Sequence, residues 1–225
     1  MKTILIIGGS KGIGKALADL LKESHKVITM SRSEIENQES NTHYALDILK
    51  DELPDIEELD GLAYCPGSIN LKSLTRLKIE DFQNDFNINV LGAIKAIQKY
   101  EKALSNNNGS VVLFSTVATK LGMPFHASIA VSKAGVEGLA KSLAAEYATK
   151  IRFNVIAPTV TNTSLAARLL RNEKQQETMK ERHPLKNYLE PSEVASLANY
   201  LLSDDAKSIS GQVFPIDAGI VSLKL

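Results

Sequence analysis

Short apolar runs alternate along the chain with longer segments in which apolar residues recur every three or four positions. A short apolar run predicts a buried strand, and the longer period predicts an amphipathic helix. The predicted strands are residues 4–7, 26–30, 42–46, 61–64, 110–114, 151–156 and 212–216. The predicted helices are residues 12–23, 49–58, 79–104, 126–149, 164–173 and 191–203. Because such alternation is typical of a parallel sheet with helices on both faces, we predict one doubly wound α/β domain of about seven strands over residues 1–225.

A glycine-rich turn joins the first predicted strand to the first predicted helix. Gly8, Gly12 and Gly14 follow the apolar run that ends at Ile7. Glycine lets the backbone turn sharply and lets a ligand approach it closely, and the free N–H groups at a helix start can face a phosphate. With a strand before it and a helix after it, the turn predicts a dinucleotide site. The alternative is a tight turn that holds no ligand.

Composition excludes several classes of protein. The 225 residues carry a formal net charge of zero, which does not indicate nucleic-acid binding. No apolar run approaches the ~20 residues that span a bilayer, and the chain enters a strand at once, so we expect no membrane span, no signal peptide and a cytoplasmic protein. The single cysteine, Cys65, cannot form an intramolecular disulfide, and no metal site is predicted.

Motifs along nearly the whole chain are similar, in kind and in order, to those of the short-chain dehydrogenase/reductase family. They are GGSKGIG at 8–14, Asp47, NINVLG at 87–92, FSTVA at 114–118, SKAGVEGLAKSLAAEYA at 132–148, IRFNVIAP at 151–158 and SGQVFPIDAG at 210–219. The resemblance implies a Rossmann-type domain, NAD(P)-linked hydride transfer on a small-molecule substrate, and a homo-oligomer, either a dimer or a tetramer.

Charge near the second predicted strand favours NADP(H) over NAD(H). An NAD enzyme places a carboxylate there for the ribose 2′-hydroxyl, whereas this strand ends in Ser31 and Arg32. Arg32 and Lys11, which lies in the glycine loop, could pair with a 2′-phosphate. The alternative is that both are solvated surface charges within or beside polar loops, such as residues 31–42.

The resemblance also assigns the remaining cofactor contacts. Asp47 corresponds to the residue that holds the adenine edge, although it could simply cap the end of its strand. The full predicted cofactor set is Gly8, Ser10, Lys11, Gly12, Ile13, Gly14, Ser31, Arg32, Asp47, Ile48, Cys65, Pro66, Gly67, Lys133, Pro158, Thr161 and Thr163.

The catalytic centre departs from the family pattern. The family's acid is a tyrosine four residues before the lysine that matches Lys133, and Ile129 occupies that position. None of the six tyrosines has a lysine four residues later. Thr116, with Ser115 beside it, stands where the family has its serine. Tyr64-Cys65-Pro66-Gly67 replaces the N-N-A-G motif, and Pro158-Thr159 replaces P-G.

His126 is the candidate replacement for the acid. It precedes Lys133 by seven residues, or two helical turns, which is the tyrosine–lysine spacing of the enoyl-reductase branch. At a helix N-terminus we expect a neutral imidazole that donates from its N–H. The alternative is a histidine that only lines or caps the pocket.

Lys133 keeps a role in either case, because the resemblance assigns it the nicotinamide ribose. Asn89 corresponds to the asparagine that holds a water near that lysine, or it is a buried amide satisfied by helix carbonyls. The predicted catalytic set is Lys133, Thr116, Ser115, His126 and Asn89.

Two further interpretations stay open. Residues 171–187 are charged and could form a lid over the site or a solvated helix face.

The protein is predicted to be an NADP(H)-dependent oxidoreductase with a non-standard proton donor. The alternatives are a dinucleotide-binding sensor or scaffold that has lost catalysis, and a non-redox enzyme that holds NADP for structure.

Overall fold

The computed structural model describes residues 1–34 and 41–224, and within them the strands form one parallel sheet. The strands are β1 (Thr3–Ile7), β2 (Lys26–Ser31), β3 (Asn41–Ala45), β4 (Gly61–Tyr64), β5 (Ser110–Phe114), β6 (Arg152–Pro158) and β7 (Val213–Ile216). Their order is β3-β2-β1-β4-β5-β6-β7. The order reverses between β1 and β4, which leaves a crevice at the carboxyl ends of the strands. The predicted doubly wound α/β fold is confirmed.

Helices cover both faces of the sheet. They are α1 (Gly12–Leu21), α2 (Ile79–Phe86), α3 (Gly92–Asn106), α4 (Ala127–Glu146), α5 (Glu173–Glu181) and α6 (Pro191–Leu202). One apolar core includes α3 and α4, and a second includes α1 and α6. Because apolar cores lie on both faces, β1 and β5 are buried along their whole length, which explains their unbroken apolar runs. Among the described residues, no helix is long and apolar enough to cross a membrane.

The helix predicted over 49–58 is wrong. Residues 48–50 form a turn and the segment then continues without regular structure. Pro54 lies in its middle, where it lacks the N–H that a helix needs. The backbone carbonyls of this segment bond instead to α3, since Lys95 Nζ donates to Asp51 O at 2.7 Å and the Tyr100 hydroxyl donates to Pro54 O at 2.9 Å.

Two other helix predictions need correction. Within residues 164–173 only Ser164–Ala166 forms a short 3₁₀ turn, and the helix begins later, at Glu173. Asn172 starts that helix, because its Oδ1 accepts a hydrogen bond from Gln175 N at 2.9 Å. The long helix predicted over 79–104 is divided by a π-helical segment, Asn87–Leu91, between α2 and α3.

Candidate functional site

A cavity of about 210 Å³ opens at the carboxyl ends of the central strands. Its walls come from the strand ends, the start of α4 and the segment that follows β6. The lining includes Ile13, Cys65, Gly67, Ser68, Ser115, Thr116, His126, Ile129, Lys133, Pro158, Thr159, Thr161, Thr163 and Arg182. A second groove runs beside it along Ser10, Lys11 and Gly12, and Arg171 lines the far side of that groove. Met179 and Arg182 bring the segment 171–187 to the cavity, where a lid would lie.

Backbone geometry sets the shape of the glycine loop. Gly8 has a positive φ of 85°, which side chains rarely adopt, and its N–H bonds to Met30 O at 2.7 Å. A β-carbon at Gly14 would collide with the carbonyl oxygen of Gly8, so α1 can pack this closely only with glycine. The α1 N-cap, Lys11, makes no side-chain cap bond, which leaves the first helical N–H groups for a ligand. A β-carbon at Gly8 would also lie only 3.0 Å from Pro66 N, so the loop meets the end of β4 closely.

The predicted adenine-side residues lie at the edge formed by β2 and β3, outside the cavity lining. Arg32 is exposed, and the Ser31 hydroxyl donates to Ser33 O at 3.0 Å. Asp47 Oδ1 accepts from Leu49 N at 3.0 Å, so the capping alternative holds for that oxygen. Ile48 is buried in the core. Residues 35–40, within the predicted surface loop, lie outside the described residues.

Lys133 is the buried cation of the site. Lys133 is only 8% exposed, and its Nζ donates to Phe114 O at 2.7 Å. Burial lowers the pKa of Lys133 to about 8, while Cys65 and Asp85 act in the opposite direction. A β-carbon at Gly67 would lie 3.6 Å from Lys133 Nζ and 3.5 Å from Asn89 Oδ1. The ammonium and the amide oxygen therefore approach the same glycine.

Asn89 lies in the π-helical segment and is almost fully buried. Its Nδ2 donates to Asp85 O at 2.7 Å and to Ser68 Oγ at 3.1 Å. Its Oδ1 is buried without a hydrogen-bond partner in the described part of the chain. The buried-amide alternative therefore explains the nitrogen only. An unpaired buried acceptor beside Lys133 can hold a water or a ligand hydroxyl.

The hydroxyls beside Lys133 are not equivalent. Ser115 Oγ donates to Glu137 Oε1 at 2.6 Å, so its proton is already used. Thr116 Oγ1 only accepts, from Ala118 N at 3.3 Å, and keeps its proton for a ligand. Ile129, 5% exposed, lines the cavity, and none of the residues described as lining the cavity is a tyrosine.

His126 lines the cavity, but its hydrogen bond corrects our expectation of a neutral donor. Nδ1 lies 2.8 Å from Pro124 O. A carbonyl oxygen can only accept, so the ring's single proton in the neutral form must lie on Nδ1. A neutral His126 thus offers Nε2 as an acceptor. Only the imidazolium can donate a proton into the cavity from Nε2.

The residues that replace N-N-A-G are inert. The Tyr64 hydroxyl donates to Ile88 O at 2.7 Å inside the core, and burial raises the pKa of Tyr64. Burial also raises the pKa of the Cys65 thiol to about 12, although Lys133 opposes this. Tyr64 is therefore no replacement acid, and Cys65 stays a neutral thiol.

The end of β6 is held by side-chain hydrogen bonds, and one of the residues involved, His183, was missed by our sequence reasoning. Thr159 Oγ1 lies 2.8 Å from Nε2 of the buried His183, whose Nδ1 lies 2.7 Å from Met179 O. Since Met179 O must accept, His183 accepts from Thr159 and ties β6 to the segment after α5. Thr161 Oγ1 donates to Thr159 O at 3.0 Å, and Thr163 Oγ1 donates to Thr161 O at 3.3 Å.

Asp85 and Ser68 were also missed. Asp85 lies one helical turn before Asn89, and that spacing is the signal that places a carboxylate beside the predicted asparagine. Among the described residues no cluster of His, Cys, Asp or Glu could hold a metal ion.

Comparison with known proteins gives consistent results. A family model described as enoyl-(acyl carrier protein) reductase matches residues 8–221. A 3-oxoacyl-(acyl-carrier-protein) reductase of Rickettsia felis is 34% identical over 236 residues, which cover 98% of this chain and 97% of the relative. The equivalent reductase of Thermotoga maritima is 31% identical over 242 residues and 98% of both chains.

Solved structures agree over the whole fold. A short chain dehydrogenase family protein from Francisella tularensis has a TM-score of 0.87 and 26% identity, covering 99% of this chain and 100% of that one. ElxO, solved with NADP bound, has a TM-score of 0.87 and 28% identity, with the same shares of each chain covered.

Proposed function

Because the chain belongs to the short-chain dehydrogenase/reductase family of NAD(P)-dependent oxidoreductases, we propose that it transfers hydride between NADP(H) and a small carbonyl, hydroxyl or activated-alkene substrate. The observation that carries the proposal is the cavity between the glycine loop and Lys133. The site fits a dinucleotide on two grounds. One is a helix start that closes on Gly8 and leaves no room for a side chain at Gly14, and the other is the unpaired Asn89 Oδ1 beside Lys133.

We assign the cofactor contacts as follows. The first N–H groups of α1 hold the pyrophosphate, and Lys11 with Arg32 hold the 2′-phosphate, which favours NADPH over NADH. The Lys133 ammonium holds the nicotinamide ribose. The bound nicotinamide supplies or accepts the hydride. ElxO supports the choice of cofactor, since it was solved with NADP.

The proton comes from a non-standard donor. Ile129 cannot supply one, so the His126 imidazolium or a water molecule does so, and Thr116 keeps a free hydroxyl to orient the substrate oxygen. Loss of a general acid typically costs ~10²–10⁴ in rate. We therefore expect slow turnover in place of none.

The relatives suggest the substrate. Two of them are 3-oxoacyl-(acyl-carrier-protein) reductases, and the family model is named for an enoyl reductase. The cavity has an apolar wall that suits an acyl chain, formed by Ile69, Leu71, Met123, Leu165, Leu169 and Met179. A 3-oxoacyl thioester is the first substrate to test, and a 2-enoyl thioester is the second.

We also propose a homo-oligomer, which two exposed apolar side chains support. Val131 on α4 is 60% exposed and Leu91, just before α3, is 45% exposed. We propose that these helices meet a second copy in a dimer or tetramer, and light scattering at micromolar concentration measures the state. A monomer at that concentration would contradict this assignment.

The test of the proposed function is a fluorescence titration with NADPH and NADH, followed by assays of both thioesters. We expect NADPH to bind at least ~10-fold more tightly, with slow NADPH oxidation by one thioester. A Lys11→Ala, Arg32→Ala variant should lose that selectivity and keep its NADH affinity, since only the 2′-phosphate contact is removed.

Each outcome separates the candidates. If neither nucleotide binds, the proposal fails. If NADPH binds tightly and no thioester or simple ketone is turned over at any pH, the sensor or scaffold alternative replaces it.

A further inference from the structure

A buried carboxylate that acts electrostatically on Lys133, that of Asp85, has no place in the function proposed above. Asp85, on α2, is 3% exposed. Its Oδ1 accepts from Ser68 Oγ at 2.5 Å, and its Oδ2 accepts from Ser128 Oγ at 2.5 Å. A buried carboxylate is costly unless it is hydrogen-bonded or paired, and here both oxygens have a donor. The two serines hold Asp85 between the end of β4 and the start of α4.

Asp85 orients Asn89 through two contacts. The Ser68 hydroxyl that donates to Asp85 also accepts from Asn89 Nδ2 at 3.1 Å. The backbone oxygen of Asp85 accepts from the same nitrogen at 2.7 Å. With Nδ2 fixed on this side, Oδ1 is turned toward Gly67, where Lys133 Nζ also lies. Ser68 lines the cavity, so the network reaches the substrate side directly.

Asp85 is also the buried negative charge that acts electrostatically on Lys133. An ammonium has three hydrogens, and among the described residues only Phe114 O receives one. The other titratable side chain that acts on Lys133 is Cys65, which is neutral near pH 7 because burial raises its pKa to about 12. His126 and Arg182 line the same cavity but add no negative charge.

Glu137 lies one turn further along α4, where it accepts from Ser115 at 2.6 Å and from Thr119 at 2.8 Å. It does not figure among the groups that act on Lys133. The carboxylate of Asp85 is therefore the negative charge that remains for Lys133 near neutral pH.

We propose that Asp85 is a positioning residue, whose carboxylate, fixed by Ser68 and Ser128, aims the Asn89 amide oxygen and balances the charge of Lys133. The consequence of this inference, which is that Asp85 tightens nucleotide binding at neutral pH, rests on the proposed function. The electrostatic coupling of Asp85 to Lys133 can be tested without the nucleotide.

The sign of the effect follows from the charges. Burial lowers the pKa of Lys133 to about 8, and Asp85 raises it. Removing the carboxylate charge lowers the proton affinity of Lys133 further, so the amine becomes neutral near pH 7. We expect a shift of about one pH unit, which corresponds to a tenfold change in proton affinity.

The experiment compares Asp85→Asn with Asp81→Asn, a matched loss of a carboxylate on the same helix. Asp81 bonds to Lys72 at 2.9 Å and is absent from the cavity lining. The 13Cε resonance of Lys133, assigned with Lys133→Met, is titrated by NMR. Its midpoint should lie near pH 8 in the wild type and in Asp81→Asn, and about one unit lower in Asp85→Asn.

The functional readout is the NADPH dissociation constant against pH. In Asp85→Asn it should rise about threefold at pH 7.5, approach a tenfold rise near pH 9, and recover at pH 6, where Lys133 is protonated again. Ser128→Ala keeps the charge and removes one donor, so it provides a milder variant should Asp85→Asn not fold. It should weaken NADPH binding by a few-fold and should move the Lys133 midpoint by less than one pH unit.

The outcomes distinguish this inference from the proposed function. An unmoved Lys133 midpoint in folded Asp85→Asn would overturn it, as would lower stability with an unchanged pH profile. If the wild type binds no NADPH while the midpoint shifts as expected, the proposed function fails and the electrostatic coupling of Asp85 to Lys133 stands.

Discussion

The two ends of the proposed dinucleotide site are built by different physical means. At the glycine loop the backbone itself forms the site, through the positive φ of Gly8 and the missing side chain at Gly14. Around Lys133 the site is built from side chains of several elements, each held by hydrogen bonds, such as Asn89 to Ser68 and Ser115 to Glu137.

This difference gives a physical reason for the proposed departure from the family pattern at the Lys133 end alone. At Gly8 and Gly14 an added β-carbon would lie within 3.0 Å of backbone atoms, so glycine is required at both positions. A side-chain network needs only that every buried polar group finds a partner, which several sets of residues can satisfy. The cavity positions proposed to differ from the family pattern, Cys65, Thr116, Ile129 and Thr159, all belong to the second kind.

The largest effect is expected from Gly14→Ala. Its β-carbon would collide with the carbonyl oxygen of Gly8, and neither backbone can yield without opening the loop. We expect NADPH binding to be abolished and the free energy of unfolding to fall by about 3 kcal/mol, at the upper end for overpacking. Isothermal titration and urea denaturation measure the two quantities.

The matched control is Gly138→Ala, in the middle of α4. A β-carbon there meets no atom within 4 Å, so the change should raise stability by ~0.5–1 kcal/mol and leave NADPH binding intact. Equal effects of the two substitutions would show that the loop is not sterically closed, and the contrast between the two ends would disappear.

A smaller effect, of opposite sign, is expected from Ile129→Tyr. Ile129 borders the cavity, so a phenol has room to enter it. It would place a general acid where the family has one, and we expect the rate of carbonyl reduction to rise about 10²-fold. Ile129→Phe adds a ring without the hydroxyl and should give no gain. A similar gain in both variants would assign the effect to packing and remove the argument for a missing acid.

The fold could be predicted from sequence wherever burial leaves a simple pattern. Strands β1 and β5 are buried on both faces, and their apolar runs give their bounds to within one residue. The prediction of a helix over 49–58 was wrong because it gave apolar spacing more weight than Pro54. The helix that begins at Glu173 was missed because α5 has no buried face.

The candidate site divides in the same way. Lys133, His126, Cys65, Thr161 and Thr163 were predicted as site residues, and all of them line one cavity. The network of Asp85 was not predicted, since its bonds to Ser68 and Ser128 join residues 17 and 43 positions apart. The periodicity of a sequence does not indicate a contact between residues so far apart along the chain. The orientation of the His126 ring likewise depends on Pro124 O, which only the folded loop brings into place.

That orientation leads to the smallest and most specific effect, which concerns the proton donor. The neutral His126 ring has its proton on Nδ1, directed to Pro124 O, so Nε2 can donate only in the imidazolium. His126→Gln has no acidic proton on its side chain and should lower kcat for reduction by about tenfold, a smaller loss than usual because water can replace the acid. Burial lowers the pKa of Lys133 to about 8, so NADPH binding and reduction should decline above pH 8 in the wild type and in His126→Gln alike. A full rate in His126→Gln would leave water as the proton donor.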